Sequence, residues 1–279
     1  MARSILITGA SSGFGLLAAR LAYARGWAVA ATARKPSAIP RPEDPDEGRW
    51  LSLALDVTDP ESVRWAVDAA QTRFGSLHAV VNNAGVAHMG AAEEAEAPGL
   101  RREFDVNFFG AVRVTREVLP AMRAAGRGRL VFVSSQWGRT SVPAFSGYCA
   151  SKAALGAWAE ALSHEVRPLG IGVTVVEPGA FDTGFGRRSL SLAAGVRDPE
   201  SPYAGLYGRL REGFAGEANP TGEPVAEAIL KAVSGEETRL HVPVGVEAEA
   251  WQERRFREGE DAFLRDLARS RRWTAAGEG

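Results

Sequence analysis

The strongest constraint on this chain lies in its first 26 residues, where an apolar run, a glycine-rich turn and an amphipathic run follow one another without a break. Ser4 to Thr8 is short, apolar and ended by Gly9, the pattern of a buried strand. Gly13 to Gly26 sets Leu16, Leu17, Ala18, Leu21 and Ala22 at helical spacing and closes on a glycine, the pattern of a helix packed on one side. A strand that turns at once into a helix buries both apolar faces when the chain returns to lay a parallel strand beside the first.

The rest of the chain keeps that alternation. Trp27–Ala33, Trp50–Leu55, Leu77–Val81, Arg129–Val133, Val173–Val176 and Arg239–Val242 read as strands, being short apolar runs bounded by turn residues. Helices are predicted from Asp59 to about Phe74, from Leu100 to Ala125, from Tyr148 to Arg167 and from Glu223 to Val233. Asp59-Pro60-Glu61 marks one start, because Asp can cap, Pro suits the first helical position and Glu favours the positive end. The expected fold is therefore α/β, one doubly wound parallel sheet of about seven strands with helices on both faces, over residues 1–245. No internal repeat interrupts it. Residues 183–221, rich in Gly, Pro, Ser and Arg, read as a mobile excursion with short helices, of a kind usually functional in compact domains. Residues 246–279 form a C-terminal extension. Its charged, amphipathic stretch from Ala248 to Arg272 reads as a solvated surface helix, with an oligomer contact or a pocket flap as the other readings.

Composition narrows the class. A length of 279 residues suits one large domain, and 45% hydrophobic with 24% charged residues is ordinary for a globular protein. A formal net charge of -1 gives no basic excess for nucleic acid or an anionic membrane. The single cysteine, Cys149, allows no intrachain disulfide, which fits a reducing compartment. The N-terminal run is too short for a signal peptide, and no run reaches the roughly 18 apolar residues of a membrane span. The cytoplasm is the expected location.

The first turn, Thr8-Gly9-Ala10-Ser11-Ser12-Gly13-Phe14-Gly15, points to a nucleotide. Glycines let backbone N–H groups approach a pyrophosphate, and the following helix start adds partial positive charge. Contacts are expected from Gly9, Ser11, Ser12, Gly13, Phe14 and Gly15. An acid at the end of the second strand would favour NAD, whereas this chain reads Ala33-Arg34-Lys35 there. Arg34 can fork onto a 2′-phosphate and Lys35 adds a point charge, so NADP(H) is the expected cofactor. Both side chains could also merely solvate the strand end.

Tyr148 and Lys152 lie four residues apart near a helix start, on one helical face. An ammonium beside a phenol stabilises phenolate and lowers its pKa, which makes the hydroxyl usable as an acid and base. Such pairs also occur on surface helices. The order TGxxxGxG, then Asn82-Asn83-Ala84-Gly85, then Tyr148-Cys149-Ala150-Ser151-Lys152 resembles the short-chain dehydrogenase/reductase family from about Arg3 to Val244. The resemblance implies a Rossmann-like domain in which Asn83, Ala84 and Gly85 back the cofactor. It implies that Ser135 (with Ser134 as the other register) binds the substrate oxygen, Tyr148 exchanges its proton, Lys152 lowers the Tyr148 pKa and holds the nicotinamide ribose, and Asn107 holds a relay water. Asn107 could instead be a locally bonded core amide. Asp56, next to Val57, resembles the acid that meets the adenine amino group, though it could only cap a turn. Pro178, Gly179 and Thr183 resemble the turn that meets the carboxamide.

The same resemblance implies hydride transfer between NADP(H) and a carbonyl or secondary alcohol. Gln136, Trp137, Val142, Pro143, Phe145, Phe181 and Phe185 are expected to line an apolar substrate pocket, or to be ordinary packing. "ATARKP" with "PGAFDTGF" is similar to the branch of hydroxysteroid and retinol dehydrogenases and many bacterial reductases, which implies a bulky lipophilic or polyketide-like substrate. The four histidines show no ligand spacing, so no catalytic metal is expected. By family analogy the helices bearing Asn107 and Tyr148 pair in a homodimer or homotetramer. Two rivals remain: a non-catalytic NADP(H) sensor or scaffold, against which the intact Ser135, Tyr148 and Lys152 set argues, and a methyltransferase, which would want an acid after the second strand.

Overall fold

Successive side chains of a strand point to opposite faces. In β1 (Ser4–Ile7) this sends Ile5 and Ile7 into one apolar core and Leu6 into another, all three fully buried. The computed structural model describes residues 3–43, 45–215, 220–271 and 273. After β1 come α1 (Gly13–Ala24), β2 (Ala28–Ala33), β3 (Trp50–Ala54), α2 (Pro60–Phe74), β4 (Ala79–Asn82), β5 (Ala87–Met89), α3 (Ala97–Phe104), α4 (Gly110–Ala125) and β6 (Gly128–Val133). Then follow α5 (Ser146–Val166), β7 (Ile171–Pro178), α6 (Phe185–Arg188), β8 (Leu190–Leu192), α7 (Ala204–Ala215), α8 (Glu223–Ser234), β9 (His241–Val244), α9 (Val246–Glu258) and α10 (Glu260–Ser270).

Seven strands form one parallel sheet in the order β3-β2-β1-β4-β6-β7-β9. Helices α1 and α8 bury Ala18, Ala22, Val225 and Ile229 against Ile5, Ile7, Val29 and Val176 on one face. Helices α2, α4 and α5 bury Val63, Val118 and Leu155 against Leu6, Val80 and Phe132 on the other. The strands are apolar on both sides because both sides are covered. Among the described residues no helix is long and apolar enough to cross a membrane.

Three sequence expectations change. The helix expected from Leu100 to Ala125 is broken by a π-helical segment, Asp105–Phe109, centred on Asn107. Asparagine is a poor helix former, and here its side-chain amide bonds Val86 and Ser151 across the chain. The excursion expected to be mobile is pinned. Its strand β8 pairs with β5, and Tyr207 is fully buried with its hydroxyl accepting from the Ala91 N–H at 2.8 Å. Residues 216–219 of that stretch lie outside the described residues. The tail read as a solvated helix is two helices whose Trp251, Phe263 and Leu267 are buried with Val142, Phe145 and Tyr207 in a third apolar cluster. Arg272 and residues 274–279 lie outside the described residues.

One buried hydroxyl joins the first turn to the centre of the sheet. Thr8, 1% exposed, accepts from the N–H groups of Asn83 at 2.9 Å and Ala84 at 3.0 Å. It donates to the Val81 carbonyl at 3.3 Å. The Asn83 amide returns the tie by donating to the carbonyls of Thr8 at 2.9 Å and Gly9 at 3.2 Å. A Cβ on Gly15 would lie 2.5 Å from both that amide nitrogen and the Gly9 oxygen, so only glycine lets α1 start this close. Thr8→Val keeps the side-chain shape and removes the acceptor for two N–H groups. It is expected to cost about 2–4 kcal/mol, read by urea unfolding; a loss well under about 1 kcal/mol would show that the hydroxyl does not hold the turn.

Candidate active site

In a doubly wound sheet ligands bind outside the carboxyl ends of the strands, where the strand order reverses. The reversal here lies between β1 and β4. A cleft of about 1150 Å³ opens there, bounded by the turns that leave β1, β4, β6 and β7. At one end Gly9 and Gly13 hold φ values of +69° and +56°, and Ser12 leaves the start of α1 without a side-chain cap. Gly9, Ser11, Ser12, Gly13 and Phe14 line the cleft. Uncapped helical N–H groups beside a glycine turn suit a pyrophosphate, so the residues present fit a dinucleotide. Gly15 does not line the cleft; it packs beneath the turn.

Beyond the turn, Arg34, Asp56 and Val57, past the ends of β2 and β3, line the cleft where the adenosine is expected, and Lys35 does not. Lys35 is exposed at the entry to the short turn Pro36–Ala38. Burial works against the Asp56 carboxylate. Hydrogen bonds from the Thr58 N–H and hydroxyl, with Arg34 and Arg102 nearby, nonetheless hold its pKa below the usual range. Arg102, on α3, lines the cleft as well. It carries no sequence signal, because only the sheet's crossover brings α3 to the end of β2.

The chemistry-bearing side chains meet where β6 ends. Ser135 caps the turn Gln136–Gly138, its hydroxyl oxygen accepting from the Trp137 N–H at 3.1 Å. The Ser135 hydroxyl also hydrogen-bonds the Tyr148 phenol. Ser134 also lines the cleft, but its hydroxyl donates to the Lys152 carbonyl at 3.1 Å. The Tyr148 ring stands between Trp137 and Phe185, at centroid distances of 6.1 and 6.2 Å. Lys152 is 4% exposed. Its ammonium donates to the Val133 carbonyl at 2.8 Å and lies 5.8 Å from the Tyr148 ring centroid.

Burial shifts both groups. It pushes the Tyr148 phenol above its ordinary pKa, with the Ser135 hydrogen bond opposing. It pulls Lys152 down to about 8. Lys152 is expected to lower the Tyr148 pKa, and burial of the phenol acts in the opposite direction. Losing water disfavours the phenolate, and the Lys152 ammonium lies 5.8 Å from the ring centroid.

Asn107 does not line the cleft. Its Oδ1 accepts from the Val86 N–H at 2.9 Å, and its Nδ2 donates to the Val86 carbonyl and the Ser151 hydroxyl, each at 2.9 Å. A Cβ on Gly85 would lie 3.4 Å from that Oδ1 and 3.5 Å from the Lys152 ammonium, so glycine keeps the space between them open. Asn83, Ala84, Gly85, Pro178, Gly179 and Thr183 line the cleft, as do Gln136, Trp137, Val142, Phe145, Phe181 and Phe185; Pro143 does not.

The sequence reading missed Glu103, 1% exposed behind Tyr148. Its Oε1 accepts from the His88 N–H at 2.7 Å, and burial raises its pKa to about 7. It also missed Glu247, Trp251 and Arg271, which the C-terminal helices bring to the substrate end. Among the described residues no group of His, Cys, Asp and Glu could hold a metal ion.

Comparison with known proteins places the chain in a family. The family model for short chain dehydrogenases matches residues 3–191. The chain is 41% identical over 195 residues to the 3-ketodihydrosphingosine reductase of Bacteroides thetaiotaomicron, covering 70% of each chain. It superimposes on a short-chain dehydrogenase from Streptomyces avermitilis with a TM-score of 0.79 and 37% identity, over 97% of this chain and 95% of that one. A short chain dehydrogenase from Burkholderia cenocepacia, solved in complex with NADP, gives a TM-score of 0.75 and 25% identity over 94% of this chain and 97% of that one. The chain belongs to the short-chain dehydrogenase family and is an oxidoreductase of that family.

The Lys152 shift has a measurable consequence. The folded chain releases this proton near pH 8, against a normal 10.5. Across that window the unfolded chain binds more protons, so stability rises with pH. Relative to Lys152→Met, the wild type is expected to gain about 1.4 kcal/mol per pH unit there, read by urea unfolding at several pH values. Parallel curves would contradict it.

Proposed function

We propose that the chain is an NADP(H)-dependent reductase of a lipophilic ketone or aldehyde, able to run in reverse on the secondary or primary alcohol. The observation that carries this reading is the meeting of Ser135, Tyr148 and Lys152 at the strand-order reversal, beside the glycine turn. Arg34 and Arg102 at the adenosine end suit the extra charge of a 2′-phosphate. The NADP-bound Burkholderia relative supports the same cofactor.

When bound, NADP(H) supplies the hydride carrier and, in its oxidised form, a positive charge beside the phenol. The protein supplies placement and protons. Ser135, whose oxygen accepts from the Trp137 N–H, can turn its hydroxyl hydrogen from the Tyr148 phenol to the substrate oxygen and polarise it. Tyr148, kept protonated at neutral pH by burial, gives its proton to that oxygen as negative charge develops there. Lys152 remains an ammonium below about pH 8 and stabilises the phenolate that results. The Asn107 Oδ1 retains a lone pair toward the space beside Gly85, where a water can link it to Lys152 and return the proton. The wall of Trp137, Val142, Phe145 and Phe185 suits an apolar substrate body. The relative that is a 3-ketodihydrosphingosine reductase supports a ketone as the reacting group.

The test is consumption of NADPH and NADH with a panel of aryl and long-chain ketones, beside direct NADPH binding. The wild type is expected to turn over with NADPH in preference to NADH. Tyr148→Phe should bind NADPH normally and lose about 10²–10⁴-fold in turnover. Near-normal turnover by Tyr148→Phe would overturn its role. Tight NADPH binding with no ketone turned over would favour a non-catalytic binding protein.

A further inference from the structure

Gln136 follows Ser135 directly and is 4% exposed. Its Nε2 donates to Glu247 Oε2 at 2.8 Å. Glu247 in turn pairs with Arg271, whose guanidinium lies 5.5 Å from the Trp251 ring centroid. A carboxylate only accepts hydrogen bonds, so Glu247 fixes which end of the Gln136 amide faces it. The other end, Oε1, must then present an acceptor. Among the described residues no donor pairs with that buried oxygen. The nearest glycine, Gly179, would bring a Cβ within 3.2 Å of it, but its N–H already donates to the Val244 carbonyl at 2.9 Å. A buried amide oxygen without a donor is costly, and this one belongs to a residue lining the cleft beside the reacting serine.

Resting on the reductase reading above, we propose that Gln136, oriented by Glu247 of the C-terminal helix α9, selects ketones that carry a hydrogen-bond donor, a hydroxyl or an amine, near the reacting carbonyl. Gln136 is the next residue after Ser135 and lines the same cleft, so the donor belongs on the part of the molecule near its carbonyl. The apolar wall binds the body of such a molecule, and its donor gains the pairing that Oε1 lacks, which a plain counterpart does not supply. The tail thereby acts on specificity without touching the reacting atoms: Glu247 is a positioning residue and Gln136 the specificity-determining one.

The test compares an aryl or long-chain ketone with its α-hydroxy counterpart, in turnover with NADPH and in equilibrium binding to enzyme saturated with NADP⁺, where no reduction can occur. The wild type is expected to favour the hydroxy ketone by about tenfold or more. Gln136→Leu should bring the two within about twofold, with NADPH affinity unchanged. Glu247→Gln, which frees the amide to turn, should flatten the preference in the same way and keeps the result interpretable should Gln136→Leu misfold. Equal binding of the two ketones by the wild type would overturn the proposal, as would a preference that survives both substitutions. A weaker NADPH affinity in Gln136→Leu with ketone preference intact would also overturn it, since the missing donor would then belong to the cofactor. Absence of turnover alone would instead refute the reductase reading, and the binding comparison would still decide the role of Gln136.

Discussion

A lysine ammonium buried to 4% exposure, with a backbone carbonyl at 2.8 Å, sits at the base of this active site. Burying a charge is expensive unless it is paired and hydrogen-bonded. Here the carbonyl is that of Val133, the last residue of β6, so the end of a central strand fixes the height of Lys152 beneath Tyr148. The Ser134 hydroxyl closes the same junction from the other side by bonding the Lys152 carbonyl. The next residue, Ser135, is thereby set against the phenol. The three groups are placed by one strand end meeting one helix, and the parallel sheet lies behind that meeting.

The pKa directions follow from that burial and suit the roles proposed for Tyr148 and Lys152. A phenol raised above its ordinary value is poor at losing a proton to water. It is well suited to deliver one to an oxygen that is gaining charge inside the cleft. An ammonium lowered to about 8 is still charged at neutral pH. Its charge acts through a dry, low-dielectric interior, where it is worth more than in solvent. Glu103, raised to about 7 behind Tyr148, is largely proton-bearing just below neutrality and so adds little negative charge against the phenolate there.

What the sequence disclosed was whatever depends on local spacing. The glycine turn, the alternation of strands and helices, the Tyr148 and Lys152 pair and the serine after β6 are all short-range patterns, and the fold read from them is the one observed. What it concealed depends on partners from distant segments. Nothing near Gln136 signals Glu247, 111 residues away, and nothing near Arg34 signals Arg102. The tail looked solvated because its charges dominate its composition, yet Trp251 and Phe263 are buried in the cluster that backs the pocket. Desolvation of Tyr148 was equally invisible, since burial belongs to the whole packed structure and not to the helix alone.

The account rests on the phenol and the ammonium acting as one unit. The direct measurement is an absorbance titration of Tyr148, taken as the difference between wild type and Tyr148→Phe, without cofactor and with saturating NADP⁺, and repeated in Lys152→Met. The account predicts a phenolate that forms only at high pH in the free protein, markedly lower in the NADP⁺ complex, and high again when Lys152 is replaced. A titration midpoint unmoved by NADP⁺ and by loss of the lysine would contradict it.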